Sequence, residues 1–234
     1  ISAKFKLIKN QSKKDFAYIN SKNKFFKKLI KKNKILSKVN FVNLKNINRF
    51  RKNINKFNFL NNGNKENFSF IFSICDQLKL KKKIILQTIN QFKGLKYRQQ
   101  IVYENKQFTF INDSKSTSFA STISIIKSFR KVFWIVGGIP KTGDNFTLKK
   151  NECKNISVYI FGKNKNFFIN QFKNKLSYFC FKDLKSLFNK ILLDIKIPNN
   201  FHKTILFSPA AASFDTFKNF EERGKYFNNL IKTF

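Results

Sequence analysis

Hydrophobic and polar positions alternate along much of the chain in two rhythms. Short apolar runs recur at Phe16–Asn20, Val132–Val136, Val158–Phe161, Tyr178–Phe181 and Thr204–Phe207, lengths that suit buried strands. Between them the spacing lengthens to three or four. From Asn64, the series Phe68, Ile71, Phe72, Cys75 and Leu78 predicts one apolar helical face. Ile85, Ile89 and Phe92 predict a second, and Leu184 to Ile195 a third. A Lys-rich helix is expected over Phe25–Ile30 and another strand within Ile35–Leu44. Two alternating segments, Gln99–Tyr103 and Gln107–Ile111, flank Glu104-Asn105-Lys106 and predict a hairpin. The tract from Lys45 to Asn62 has no clear period. Gly94 breaks the pattern and marks the expected boundary between residues 1–94 and residues 95–234. Strand–helix alternation in the second part argues a mostly parallel, doubly wound α/β sheet of Rossmann-like type, with ligands beyond the carboxyl ends of its strands.

One stretch organises the second part. Phe108 and Phe110 close a strand at Asn112-Asp113. A hydroxyl cluster follows (Ser114, Ser116, Thr117, Ser118), and Ile123, Ile126 and Phe129 then give a helical spacing. Strand, polar turn and helix N-terminus together can present backbone N–H groups to an anion. Within the turn, Asp113 suits a sugar hydroxyl or a metal, and Lys115 a phosphate or carboxylate. An N-cap with a solvated ion pair explains the same residues.

The 234 residues suffice for one or two domains with a sizeable core. A formal net charge of +36 invites a nucleic-acid function, but the excess lies in Lys together with Asn, Phe and Ile, all residues of A/T-rich codons. A dedicated nucleic-acid protein would favour Arg forks, so no specific nucleic-acid partner is expected. Cys75, Cys153 and Cys180 are odd in number and scattered, and His202 is the single histidine, which argues against a disulfide framework or a zinc site. No apolar run reaches membrane-span length. The chain begins at Ile1 without a Met anywhere and carries no Gly-Lys-Ser/Thr phosphate loop, so it reads as a fragment.

Three stretches in order carry a resemblance: Phe110 to Thr122, Gly137-Gly138-Ile139-Pro140-Lys141-Thr142-Gly143-Asp144-Asn145-Phe146, and Ser208-Pro209-Ala210-Ala211-Ala212-Ser213-Phe214-Asp215 running on to Phe220-Glu221-Glu222-Arg223-Gly224. Together they resemble the Mur ligase family, in particular its D-glutamate-adding branch. The resemblance implies that residues 1–94 are the end of a central ATP-binding (P-loop ATPase) domain and residues 95–234 the C-terminal domain. It implies ATP and magnesium as cofactors, UDP-N-acetylmuramoyl-L-alanine and D-glutamate as substrates, and a cytoplasmic monomer with no membrane partner, inactive as a fragment. By position, Lys4 after Ala3 matches a carbamylated magnesium-holding lysine, a modification that would make an oxygen ligand for a hard metal. Asn67, in a pattern where Gly63 replaces the family's His, would contact the adenine nucleotide, as would Arg98 (phosphate) and Asp113 (ribose). Lys115 and Thr117 would face the reacting acyl group and D-glutamate. Lys141, after a diglycine turn fit for close backbone approach to a ligand, would take a substrate carboxylate. Ser213 and Phe220 would hold the D-glutamate side chain. Without the resemblance, Lys4 is a surface lysine, Asn67 a helix cap, Ser213 an N-cap and Phe220 core packing. Two other functions stay open: another amide ligase of the superfamily, such as a folylpolyglutamate synthase, or a basic binding module without chemistry.

Overall fold

The computed structural model describes residues 2–43, 62–92, 94–198 and 201–233. The chain divides into two compact units, Ile1–Phe92 and Lys93–Phe234.

The first unit contains α1 (Ser2–Lys9), β1 (Phe16–Asn20), α2 (Lys24–Lys32), β2 (Lys38–Val42), α3 (Asn62–Gln77) and α4 (Lys82–Gln91). β1 and β2 pair in parallel. Asn23 caps α2 by accepting from the Phe26 amide at 3.1 Å. Two small cores form, one of Phe5, Ile8, Ala17 and Ile19 and one of Phe68, Phe72, Ile85 and Ile89. The apolar face of α3 is narrower than its spacing predicts. Phe68 and Phe72 are buried, but Ile71 is 42% and Leu78 63% exposed. Ile71 lies about 100° around the helix from Phe72, and Leu78 falls beyond the last turn. Phe92 is 46% exposed because it is the C-cap of α4, in extended conformation, and so leaves the helix face. The irregular tract before Asn62 lies outside the described residues.

The second unit is a six-stranded sheet. Its elements are β3 (Gln100–Glu104), β4 (Phe108–Asn112), α5 (Phe119–Ile126), β5 (Val132–Gly137), β6 (Ile156–Phe161), α6 (Lys165–Phe172), β7 (Ser177–Cys180), α7 (Leu184–Lys196), β8 (Lys203–Phe207) and α8 (Phe220–Lys232). The strand order is β3-β4-β8-β5-β6-β7, parallel except for the β3–β4 hairpin. Alternate residues of each strand point to opposite faces. Trp134, Val136, Val158 and Ile160 accordingly enter one core with Phe119, Ile125, Phe168 and Phe172 from α5 and α6. Phe133, Ile135, Tyr159 and Phe161 enter the other, with Leu187, Phe188 and Ile191 from α7 and Phe227 from α8. With both faces covered, the central strands are continuously apolar, and this is why they read so plainly in the sequence. The unit is thus an α/β, mostly parallel, doubly wound sheet.

At the amino edge, Lys203 is buried and donates its ammonium to the Ile195 carbonyl at 2.7 Å and to the Ile197 carbonyl, closing the end of α7.

Candidate functional site at the carboxyl edge of the sheet

The turn after β4 is held from within. The Asp113 amide continues the sheet by donating to the Phe207 carbonyl at 2.7 Å. Its carboxylate accepts from the Gln99 amide at 3.2 Å and from the Ser208 hydroxyl at 2.8 Å. Ser208 lies 2.7 Å from Thr122 Oγ1, which lies 2.7 Å from Ser116 Oγ, so a buried hydroxyl chain leads to the acid. Since each hydroxyl has a single proton to give, an ionised Asp113 orients the chain toward itself. Burial raises the Asp113 pKa from 3.8 to about 6, against the lowering effects of Ser208, Gln99 and the Arg98 charge. Asp113 and Lys115 form no ion pair. The Lys115 ammonium instead lies 3.6 Å from the centroid of the Phe220 ring, a cation–π contact.

The helix N-terminus that follows is filled by the chain's own groups. Ser118 caps α5, accepting from the Ser121 amide, and Asp144 Oδ2 accepts from the Phe119 amide at 2.7 Å. The anion cradle expected there is therefore occupied by Asp144, from the Gly143-Asp144-Asn145 stretch. The diglycine likewise serves the protein's own packing. A Cβ on Gly137 would stand 2.5 Å from the Phe161 carbonyl, and one on Gly138 2.2 Å from the Ala212 carbonyl.

Those close approaches bring two further segments together. Ile139 and Ala212 exchange both backbone hydrogen bonds, at 2.9 and 2.8 Å, so the Lys141 loop and the Ser213 loop run side by side. Lys141 is exposed and Ser213 buried. Ser213 is not a helix cap: its carbonyl accepts from Thr216 and Phe217, while Asn219 caps α8 through the Glu222 amide at 2.7 Å. Phe220 is half-buried rather than core, and its carbonyl accepts from Ser114 Oγ at 2.8 Å. Thr117 is exposed beside Lys115 on the same turn.

Lys115, Thr117, Lys141 and Ser213 lie on the loops that follow β4, β5 and β8, three neighbouring strands, and Phe220 opens α8 where the last of these loops ends. Arg98 is exposed, with its charge felt at Asp113. Lys4 and Asn67 belong to the first unit, both exposed. Asn67 lies inside α3 and so is not its cap. Among the described residues no cluster of three or more His, Cys, Asp or Glu could hold a metal ion, and Lys4 stands exposed on α1.

Sequence reasoning assigned no role to Arg223 or Ser208. Arg223 is 1% exposed and bonded to three loops. A signal was present: Arg223 is one of only five arginines among 48 basic residues, and an Arg in so Lys-biased a chain marks a place where a forked donor is needed.

No protein-family model matches the chain. It is 34% identical over 169 residues to the UDP-N-acetylmuramoylalanine–D-glutamate ligase of Rickettsia prowazekii, covering 72% of this chain and 38% of that protein. It is 32% identical over 182 residues to the enzyme of the same name from Francisella philomiragia, covering 76% of this chain and 43% of the relative. A solved structure, the UDP-N-acetylmuramate–alanine ligase of Thermotoga maritima, aligns with TM-score 0.49 at 12% identity, over 74% of this chain and 38% of that one. The chain thus spans well under half the length of the curated relatives it matches. No helix among the described residues is long and apolar enough to cross a membrane.

Proposed function

This chain belongs to the Mur ligase family, and from that premise we propose that its second unit receives D-glutamate for an ATP-dependent ligase. That ligase would join D-glutamate to the L-alanyl carboxyl of UDP-N-acetylmuramoyl-L-alanine, a step of peptidoglycan precursor synthesis. ATP supplies the activation of that carboxyl; the residues of this chain bind and orient. D-Glutamate carries two carboxylates, and each must exchange its water for cations or hydrogen-bond donors as it is enclosed. Lys141 and Ser213, side by side through the Ile139–Ala212 bridge, would hold the side-chain carboxylate. Phe220 would pack on its methylenes. Lys115, fixed over the Phe220 ring, would set its ammonium where negative charge gathers on the oxygen of the reacting acyl group, with Thr117 beside it.

Arg98, exposed at the start of the second unit, would meet nucleotide phosphate, and Asn67 would meet the adenine. Asp113 already holds two internal donors and is 7% exposed, so its part would be to fix the Lys115 turn as well as to meet the ribose. Lys4, exposed on α1, would hold magnesium if carbamylated, and the rest of the chemistry assigned to this chain rests on its other lysines, Arg98 and hydroxyls.

The observation that carries this reading is the convergence of Lys115, Lys141, Ser213 and Phe220 on one edge of the sheet. Titration of the chain with D-glutamate, followed by amide NMR shifts, tests it. The amides of Lys115, Lys141 and Ser213 should move together, D-glutamate should bind more tightly than L-glutamate, and Lys141→Ala should weaken binding by roughly 30- to 150-fold, the worth of a charge-assisted partner of about 2–3 kcal/mol. Binding unaffected by Lys141→Ala, or shifts confined to other surfaces, would overturn it.

A further inference from the structure

The guanidinium of Arg223, on the first turn of α8, spans the middle of the sheet's carboxyl edge. Its Nη2 donates to the Ser114 carbonyl at 2.7 Å and to the Ala211 carbonyl at 3.0 Å. Its Nη1 donates to the Gly137 carbonyl at 3.5 Å, and its Nε to Ser114 Oγ at 3.1 Å. The three carbonyls belong to three different segments. Ser114 follows β4, Gly137 ends β5 and Ala211 follows β8, and these strands are neighbours in the order β4-β8-β5. Each segment carries one residue of the proposed site: Lys115 next to Ser114, Lys141 four residues after Gly137, and Ser213 two after Ala211.

Two features show that this contact is built for geometry. The guanidinium has no ion-pair partner among the described residues, although Asp215 lies close enough for its charge to be felt. A buried cation held only by neutral acceptors is an expensive way to fill space, and an apolar side chain would fill it at lower cost. Its planar fork, however, can serve several carbonyls at fixed angles, which a lysine ammonium cannot. The surroundings are also tight. A Cβ on Gly138 would meet Nη1 at 3.1 Å and Ala211 Cβ at 3.3 Å, so the loops close around the guanidinium with no slack.

We propose that Arg223 is a positioning residue: its buried guanidinium sets the spacing of the three loops that bear Lys115, Lys141 and Ser213, so that these groups converge on one dicarboxylate amino acid. The proposal rests on the D-glutamate site described above. Arg223 itself touches no substrate. Its loss leaves each binding side chain present but misplaced relative to the others.

The test compares Arg223→Lys with Lys203→Met. The second variant loosens the same unit from the opposite, amino edge of the sheet, far from the three loops. Unfolding midpoints are read from Trp134, the only tryptophan, which lies wholly inside the second unit. D-Glutamate affinity and amide shifts are measured well below those midpoints. Lys203→Met should lower the midpoint and leave affinity within twofold. Arg223→Lys should weaken D-glutamate at least tenfold in the folded protein, with coordinated shifts at residues 114–117, 137–141 and 211–213 and none in α7. Ser114→Ala, which removes the Nε acceptor together with the hydroxyl that donates to the Phe220 carbonyl and leaves the three Nη bonds to carbonyls in place, is the milder second variant. It should weaken D-glutamate severalfold and move the Lys115 amide, and it keeps the test open if Arg223→Lys does not fold. Unchanged affinity in folded Arg223→Lys, or in Ser114→Ala where the former does not fold, would overturn the proposal. If the unaltered chain does not bind D-glutamate, the substrate reading fails. The shift pattern then still judges the clamp: coordinated movement of all three loops supports it, and movement confined to the first turn of α8 refutes it.

Discussion

Replacing Asp113 with Asn should change the pH dependence of the second unit's stability in a defined direction. The carboxyl is 7% exposed, and burial lifts its pKa from 3.8 to about 6 in the folded protein. Between these two values the folded state binds the proton more tightly than the unfolded chain. Stability therefore falls as pH rises through this window. A displacement of about two units corresponds to about 3 kcal/mol, developed between roughly pH 4 and pH 6 and constant above. Asn has nearly the same shape, cannot ionise and can turn its amide toward Ser208 Oγ, whose hydroxyl can rotate to accept. The variant should match the wild type near pH 4 and exceed it by up to about 3 kcal/mol at pH 8. Urea titrations followed by Trp134 fluorescence give the difference curve, and all other carboxyls cancel from it. Trp134 is a suitable reporter because its indole donates to the Ser208 carbonyl at 2.8 Å. A difference that stays flat from pH 4 to pH 8 would refute the reasoning, since it would mean that the Asp113 proton is bound no more tightly in the folded state.

Gly224→Ala should destabilise the second unit by about 1–3 kcal/mol, since the new Cβ would lie 2.3 Å from the Tyr97 ring and force it aside; urea midpoints read at Trp134 check this. Lys203→Met should cost about 2–3 kcal/mol by the same measurement, because it leaves the Ile195 and Ile197 carbonyls without their buried donor.

The sheet was legible because strands covered on both faces are continuously apolar, and Val132–Val136 is such a run. What periodicity could not show is how much partner surface each helix meets. Ile71 follows the helical rhythm of Phe68 and Phe72, yet among the described residues it stays 42% exposed. The site was legible as a set of residue types at strand ends, but their division of labour was not. Asp144 and the ligand-like Asp113 look alike in sequence. One caps α5 and the other terminates a buried hydroxyl chain, and only the fold separates them. Arg223 was hidden for a related reason. Among 48 basic residues the rarity of arginine singles out five positions, but nothing in the local pattern separates a buried one from a solvated one.

The place of β8 in the sheet has a consequence for how the protein is made. β8 pairs with β4 on one side and β5 on the other, and neither pairs with the other directly. Phe108 meets Lys203 across 95 residues of chain (203 − 108). A ribosome therefore releases β4 and β5 with their facing edges bare and completes β8 only after some 70 further residues. At about 5–20 residues per second that interval lasts roughly 4–14 s. Throughout it, two apolar strands offer unpaired N–H and C=O rows to any other nascent chain nearby. A ribosome stalled before Lys203 would release a product whose sheet lacks its centre, with β4 and β5 left as two open edges. Closure of the sheet's centre therefore waits on the synthesis of one five-residue strand.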